Sequence, residues 1–158
     1  MPTTKLSEDH LDAWRALYRA DTLLYAHLDN TLRAKADMQY FEHEALRALD
    51  LAGGRLRMAP LAKELMMSRS GVTRLVAKLE DKDGWVVRTS APDDRRATWA
   101  ELTPAGREQL ERARPVVDAV VSTFFADHVA SEDLRRAARI LEKLADANPD
   151  DEGFDCGL

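Results

Sequence analysis

"LAKELMMSRSGVTRLVAKLEDKDGWVVRTSAPDDRRATWAEL", Leu61 to Leu102, decides the fold of this 158-residue chain. Leu61, Ala62 and Leu65 face inward on a short helix over 60–66, with Pro60 well placed at its first position. Ser68 caps a second helix running to about residue 82, whose buried face is Val72, Leu75, Val76 and Leu79. Gly84 ends it. "WVVRTS" and "ATWAEL" each alternate apolar and polar residues, and the turn-rich "APDDRR" joins them into a β-hairpin. Two short helices with a tight turn, followed by a hairpin, form a winged helix-turn-helix arrangement.

The flanks are helical. Ser7 with Glu8 and Asp9 reads as a helix start, and Leu11, Trp14, Leu17, Leu24, Leu28 and Leu32 recur at helical spacing over about 8–34. A second helix over about 38–49 stops at Ala52-Gly53-Gly54, and "LRM" at 56–58 is long enough only for a small strand. Thr103-Pro104 starts a helix to about residue 127 that Pro115 should bend or break. Ser131 starts a last helix over 132–146 with Leu134, Ala138, Leu141 and Leu144 on one face.

The fold expected is therefore mainly α with a small β-wing. Residues 1–36 form an N-terminal dimerisation helix, 37–103 the winged helix-turn-helix, 104–147 C-terminal dimerisation helices and 148–158 a mobile acidic tail. The flanking helices carry more apolar surface than so small a core can cover, and a symmetric homodimer covers it most simply.

Composition narrows the function. The net charge is −5, yet between Arg55 and Arg96 ten Lys or Arg face six Asp or Glu, while the remainder is acidic. That is a localised basic footprint of the kind nucleic acid requires. No apolar run is long enough for a membrane span, and the N-terminus lacks the apolar core of a signal peptide, so a cytoplasmic protein is expected. The single cysteine, Cys156, excludes an intramolecular disulfide framework and a CxxC metal site. His10, His27, His43 and His128 have no tight ligand spacing, so no metal and no cofactor are expected. No Ser/His/Asp set, paired carboxylates, P-loop or GxGxxG points to an enzyme.

In a helix-turn-helix the second helix enters the major groove, and its outward face here shows Arg69, Ser70, Thr73, Arg74, Ala77 and Lys78. Arg69 and Arg74 can donate bidentate bonds to guanine, and Ser70 and Thr73 can meet bases or phosphates. Lys78, one turn further, suits a phosphate, as do the N–H groups at Ser68. Arginine is planar, weakly hydrated and always charged, which fits Arg95 and Arg96 at the wing for a narrow minor groove. Asp94 would brace Arg96 by a charge-assisted bond.

At "LAKELMMSRSGVTRLVAKLE" (61–80), "GWVVR" (84–88), "DDRRA" (93–97) and "ELTPAG" (101–106) the sequence resembles the MarR family of bacterial transcriptional regulators. The family's Asp-x-Arg wing signature falls on Asp94 and Arg96, and the helix order matches over about 8–146. Ala59 stands before Pro60, where a capping hydroxyl is more usual. "LEDKDGW" is one residue longer than the usual loop. The resemblance implies a homodimer interlocked through its terminal helices, repression at a pseudo-palindromic double-stranded DNA operator, and release by a small-molecule effector, aromatic effectors included. It places the effector pocket where dimerisation helices meet the DNA-binding part. Trp14, Tyr18, Tyr40 and His43 are its candidates here, with Arg107 and Arg114 beside them. For Trp14 and Tyr18 the alternative is packing in a dimer core, and for His43 a satisfied interface histidine. The alternative function is a winged-helix protein-interaction module without DNA binding, which would not require arginines at 69, 74, 95 and 96 together.

Overall fold

The computed structural model describes residues 5–82, 84–91 and 94–147; within these, the side chains of 91, 94–97 and 125 are outside the description. The expected acidic tail, 148–158, lies outside the described residues.

Helix α1 runs Glu8–Ala36, with Ser7 Oγ accepting the His10 N–H and Glu8 and Asp9 in the first turn, where the dipole favours acid. It ends at Asp37, whose φ of +48° takes the left-handed cap conformation. Only its second half enters the core, through Leu28 and Leu32. Helix α2, Tyr40–Leu51, begins where Asp29 of α1 accepts the Tyr40 N–H at 2.9 Å, so one helix supplies the cap of the next. Burial raises the affinity of the Asp29 carboxylate for a proton, but Arg33 and the Tyr40 N–H outweigh it and hold Asp29 below the usual carboxylate range.

Strand β1 is Arg55–Arg57, and helix α3 follows at once over Met58–Glu64. The helix begins two residues earlier than the sequence reading, so Pro60 is its third residue and Arg57, not Ala59, is the cap. No N–H of the first turn has an intrahelical acceptor, so proline costs no hydrogen bond there. Leu61, Ala62 and Leu65 are buried as expected. Helix α4, Arg69–Asp81, begins at Ser68, whose Oγ accepts the Gly71 N–H at 3.1 Å, and buries Val72, Leu75, Val76 and Leu79.

Strands β2, Val86–Ala91, and β3, Asp94–Leu102, form the hairpin, and β1 adds to the far edge of β3 in the order β1-β3-β2. The register pairs Arg88 with Ala100 and Thr89 with Trp99, and it shifts between Ser90 and Ala91. Asp94, Arg95 and Arg96 belong by backbone to the start of β3 rather than to the connecting turn, a correction to the sequence reading. Ladder pairing of Asp94 with Ala91 carries the strand past its apolar alternation.

Helix α5, Pro104–Val121, starts on a compact device. Thr103 Oγ1 accepts the Gly106 N–H at 3.1 Å and donates to Gly84 O at 2.6 Å. A methyl group at Gly106 would lie 2.1 Å from Trp85 O, so only glycine fits where α5 crosses the entry to β2. The helix continues through Pro115 without a break, and a π-helical segment follows at Ser122–Ala126. Helix α6, Ser131–Ala147, buries no residue within the chain. The core gathers Leu32, Met38, Leu46, Leu49, Leu61, Val76, Leu79, Trp85, Val86, Ala100 and Leu110, with Leu56 of β1 packed against it.

Candidate nucleic-acid interface

The inward stripe of α4 fixes what its other face shows. Arg69, Ser70, Thr73 and Arg74 are all exposed, and among the described residues neither arginine forms an ion pair. Ser70 Oγ lies 3.2 Å from Ser68 Oγ, and Thr73 Oγ1 donates to Arg69 O at 2.7 Å. The Thr73 hydroxyl hydrogen is thus used within the helix, which leaves its oxygen as an acceptor for a base amino group. Two uncommitted guanidinium groups, five residues apart, flank two small hydroxyl residues. That is a face suited to donating to acceptor-rich edges or phosphates.

Lys78 has partners within the chain that the sequence reading did not foresee. Its Nζ lies 2.9 Å from Glu42 Oε1 and donates to Gln39 Oε1 at 2.9 Å, so its charge is committed to α2. Glu42 is completely buried. Its Oε2 accepts the Gln39 N–H at 2.7 Å and lies 3.7 Å from Lys82 Nζ. Lys82 also packs over the Trp85 ring at 4.9 Å. A carboxylate without water needs such partners, and two lysines from the end of α4 supply them. The sequence held a signal for this: Glu42 sits in the apolar stripe of α2 with Ala45, Leu46 and Leu49.

On the outward face of the sheet, the Arg55 and Arg57 guanidinium carbons lie 4.9 and 5.3 Å from the Trp99 ring centre. Thr89 Oγ1 donates to Glu101 Oε1 at 2.6 Å on the same face. The proposed brace between Asp94 and Arg96 involves side chains outside the described residues, as does the direction of Arg95.

Beside α4 a groove of about 1060 Å³ runs between α1, α2 and the turn from α3 to α4. Tyr25, Tyr40 and Phe41 form its aromatic wall, with ring centres 5.4–5.9 Å apart. Met66 and Met67 line it from the turn, where Met66 has a φ of +50°. Arg47, Arg74 and Lys78 line the same space together with Asp21, Glu44 and Glu64, and Arg47 is paired with Glu44 at 2.7 Å. Burial pushes the Tyr40 hydroxyl up, so it stays a neutral donor near neutral pH. Burial also pushes Glu44 upward, but His43 and Arg47 outweigh that and leave it ionised below the usual range.

Of the residues the sequence singled out for an effector, only Tyr40 lines this groove. Trp14 and Tyr18 stack on each other at 6.4 Å on the exposed half of α1. His43 is buried, with Nδ1 3.0 Å from Glu44 Oε1. Arg107 is paired with Asp50, and Arg114 with Glu111 at 2.6 Å. Tyr25 and Phe41, absent from the sequence reading, join Tyr40 only because α1 and α2 fold against each other.

Comparison with known proteins bears on this surface. A sequence model of the MarR family matches residues 36–97, from the end of α1 to the start of the wing's second strand. A MarR family transcriptional regulator from Streptomyces coelicolor, crystallised in complex with DNA, is similar with 32% identity and a TM-score of 0.87. The match covers 96% of this chain and 94% of that one. AbsC, a MarR family transcriptional regulator from the same organism, is 29% identical with a TM-score of 0.83, over 92% of this chain and 97% of its own. An uncharacterised HTH-type transcriptional regulator of Bacillus cereus is 30% identical over 89 residues. That stretch spans 56% of this chain and 58% of the Bacillus protein's length.

Proposed function

This chain belongs to the MarR family, and on that premise we propose that it is a sequence-specific DNA-binding transcriptional regulator. In this reading it is a homodimer that represses from a pseudo-palindromic operator and is released by a small effector. The observation that carries the reading is the exposed face of α4, Arg69, Ser70, Thr73 and Arg74, whose two arginines form no ion pair among the described residues, beside a wing strand that begins Asp94-Arg95-Arg96. The similar Streptomyces regulator crystallised with DNA supports it.

Residues 37–103 serve as the DNA-binding unit. Arg69 and Arg74 read base edges in the major groove, Ser70 and Thr73 add short contacts, and the N–H groups at Ser68 hold a phosphate. Arg96 enters the minor groove, with Arg95 at the backbone. Lys78, held by Glu42, stands apart from this set. Residues 1–36 and 104–147 form the dimer, which sets the two copies of α4 about one helical turn apart on the operator. Their exposed apolar residues, Trp14, Tyr18, Ile140, Leu141 and Leu144 among them, support that role.

The groove beside α4 takes the effector. Its aromatic wall suits a flat ring, and Arg74, which belongs to both the groove and the DNA-facing helix, can meet an acidic group on that ring. Occupancy of the groove therefore competes for the geometry of a base-reading side chain.

A salt titration of binding to the duplex upstream of the chain's own gene tests the central reading. Affinity should fall steeply with salt, with a log–log slope that counts the neutralised phosphates. No binding to that duplex, or to a random-sequence pool at low salt, would leave the protein-interaction module as the better account.

A further inference from the structure

Glu80 lies at the C-terminal end of α4, where the partial negative charge of the helix dipole disfavours an acid. Its carboxylate is nonetheless fully engaged. Oε1 accepts the backbone N–H of Arg88 at 3.1 Å, and Oε2 accepts from Arg88 Nε at 2.7 Å and lies 2.6 Å from Nη2. Arg88 is the third residue of β2. One side chain thus ties the helix that carries Arg69 and Arg74 to the strand that leads to the wing.

The connection it spans is short and contains Gly84 at a φ of +63°, a residue with wide conformational freedom. The base of the hairpin is fixed by Trp85, whose N–H donates to Leu79 O at 3.1 Å and whose side chain is buried with Val86. What Glu80 adds is the direction of the strand beyond that base, at Arg88. A partly exposed ion pair alone would set it poorly, because both side chains are long and solvated. The bond to the Arg88 backbone N–H changes that, since it fixes the main chain of β2 itself. Glu80 also neutralises Arg88, which keeps that arginine from acting as a phosphate contact.

We infer that Glu80 is a positioning residue for the wing: without touching DNA, it sets the angle between α4 and the hairpin so that the base-reading face and Arg96 engage one duplex together. The inference rests on the proposed reading of the wing as a minor-groove contact.

The test is selection from a random-sequence duplex pool by the full-length wild type, Glu80→Ala, Glu80→Met, Glu80→Gln, Arg96→Ala, and the exchanged pair Glu80→Arg with Arg88→Glu. The wild type should enrich a half-site core and A/T-rich flanks. Glu80→Ala should retain the core and lose the flank preference about tenfold, as should Arg96→Ala. The exchanged pair should not recover the preference, because arginine at position 80 restores the charge pairing but has no acceptor for the backbone N–H of residue 88. If Glu80→Ala fails to fold, Glu80→Met carries the comparison, since it keeps the length of the side chain and removes the acceptor for the Arg88 N–H. Glu80→Gln, whose carboxamide oxygen still accepts that N–H, should keep most of the preference. Flank preference kept by a folded Glu80→Ala or Glu80→Met protein but lost in Arg96→Ala overturns the inference. Preference kept by Arg96→Ala overturns the minor-groove reading itself, and the positioning role with it.

Discussion

Gly106 and Arg74 show how differently single residues serve this molecule. Gly106 has no side chain to contribute, yet a Cβ there would meet Trp85 O at 2.1 Å, a backbone atom that cannot rotate away. Gly106→Ala should therefore cost about 3 kcal/mol or more, at the upper end of overpacking effects. Thermal unfolding should show the Tm lowered by roughly 10 °C; an unchanged Tm would mean that α5 and β2 separate freely. Arg74 is the opposite case, exposed and unpaired, so its replacement should leave stability nearly untouched. Arg74→Ala should cost about 1–3 kcal/mol in binding and relax preference at one base pair per half-site. A uniform loss across all sequences would make Arg74 a phosphate contact instead. The role of Gly106 was not visible in "ELTPAG" beyond a helix start, because the atom it avoids lies 21 positions away. The exposure of Arg74 was legible, because a helix with four buried apolar positions leaves little choice for the others.

Between elements, the joint of α2 with α4 rests on a buried charge. Removing Lys78 leaves Glu42 in the core with only Lys82, at 3.7 Å, to offset it. Lys78→Ala should cost about 2–3 kcal/mol, somewhat less than an unrelieved buried charge would. Glu42→Gln should cost less, because it removes the group that needs compensation and its carboxamide oxygen can still accept the Gln39 N–H. Chemical denaturation of both variants measures the order, and a greater loss in Glu42→Gln would contradict it. The same Lys78→Ala protein should keep the salt slope of DNA binding, whereas loss of a phosphate contact would lower it by about 1. Element order and the buried faces of α3 and α4 were legible in the sequence because helical and strand periods are local signals. The misplacements were equally physical. Pro60 reads as a first residue although the whole first turn tolerates it, and "APDDRR" reads as a turn although pairing extends β3 back to Asp94. The apolar stripe of α2 announces that Glu42 is buried, but no local period names Lys78 as its partner, or Arg88 as the partner of Glu80.

At the scale of the whole molecule, the unfinished feature is the apolar surface left on α1 and α6. Helix α6 is 17 residues long and buries none of them within the chain, and Ile140, Leu141 and Leu144 are about half exposed. A helix of that length is marginal alone in water, so its persistence requires a packed neighbour. A second copy of the chain provides one without demanding any other partner, and a two-fold arrangement presents the same apolar faces from both sides. Leu141→Glu places a charge at the middle of that face while keeping a good helix former. Light scattering at tens of micromolar should then show the mass falling from twice 17.7 kDa to one chain mass. The loss should carry to function, because two half-sites a helical turn apart are bound as a unit only when the protein holds two copies of α4 together. DNA affinity should drop by at least tenfold, with the half-site base preference retained. Circular dichroism should lose signal equivalent to α6 and the exposed part of α1, while the cooperative unfolding of the α2–β3 core survives. A wild-type protein that runs as a single chain at these concentrations would reject the dimer. A monomeric variant that binds the full operator as tightly as wild type would instead separate dimerisation from DNA recognition.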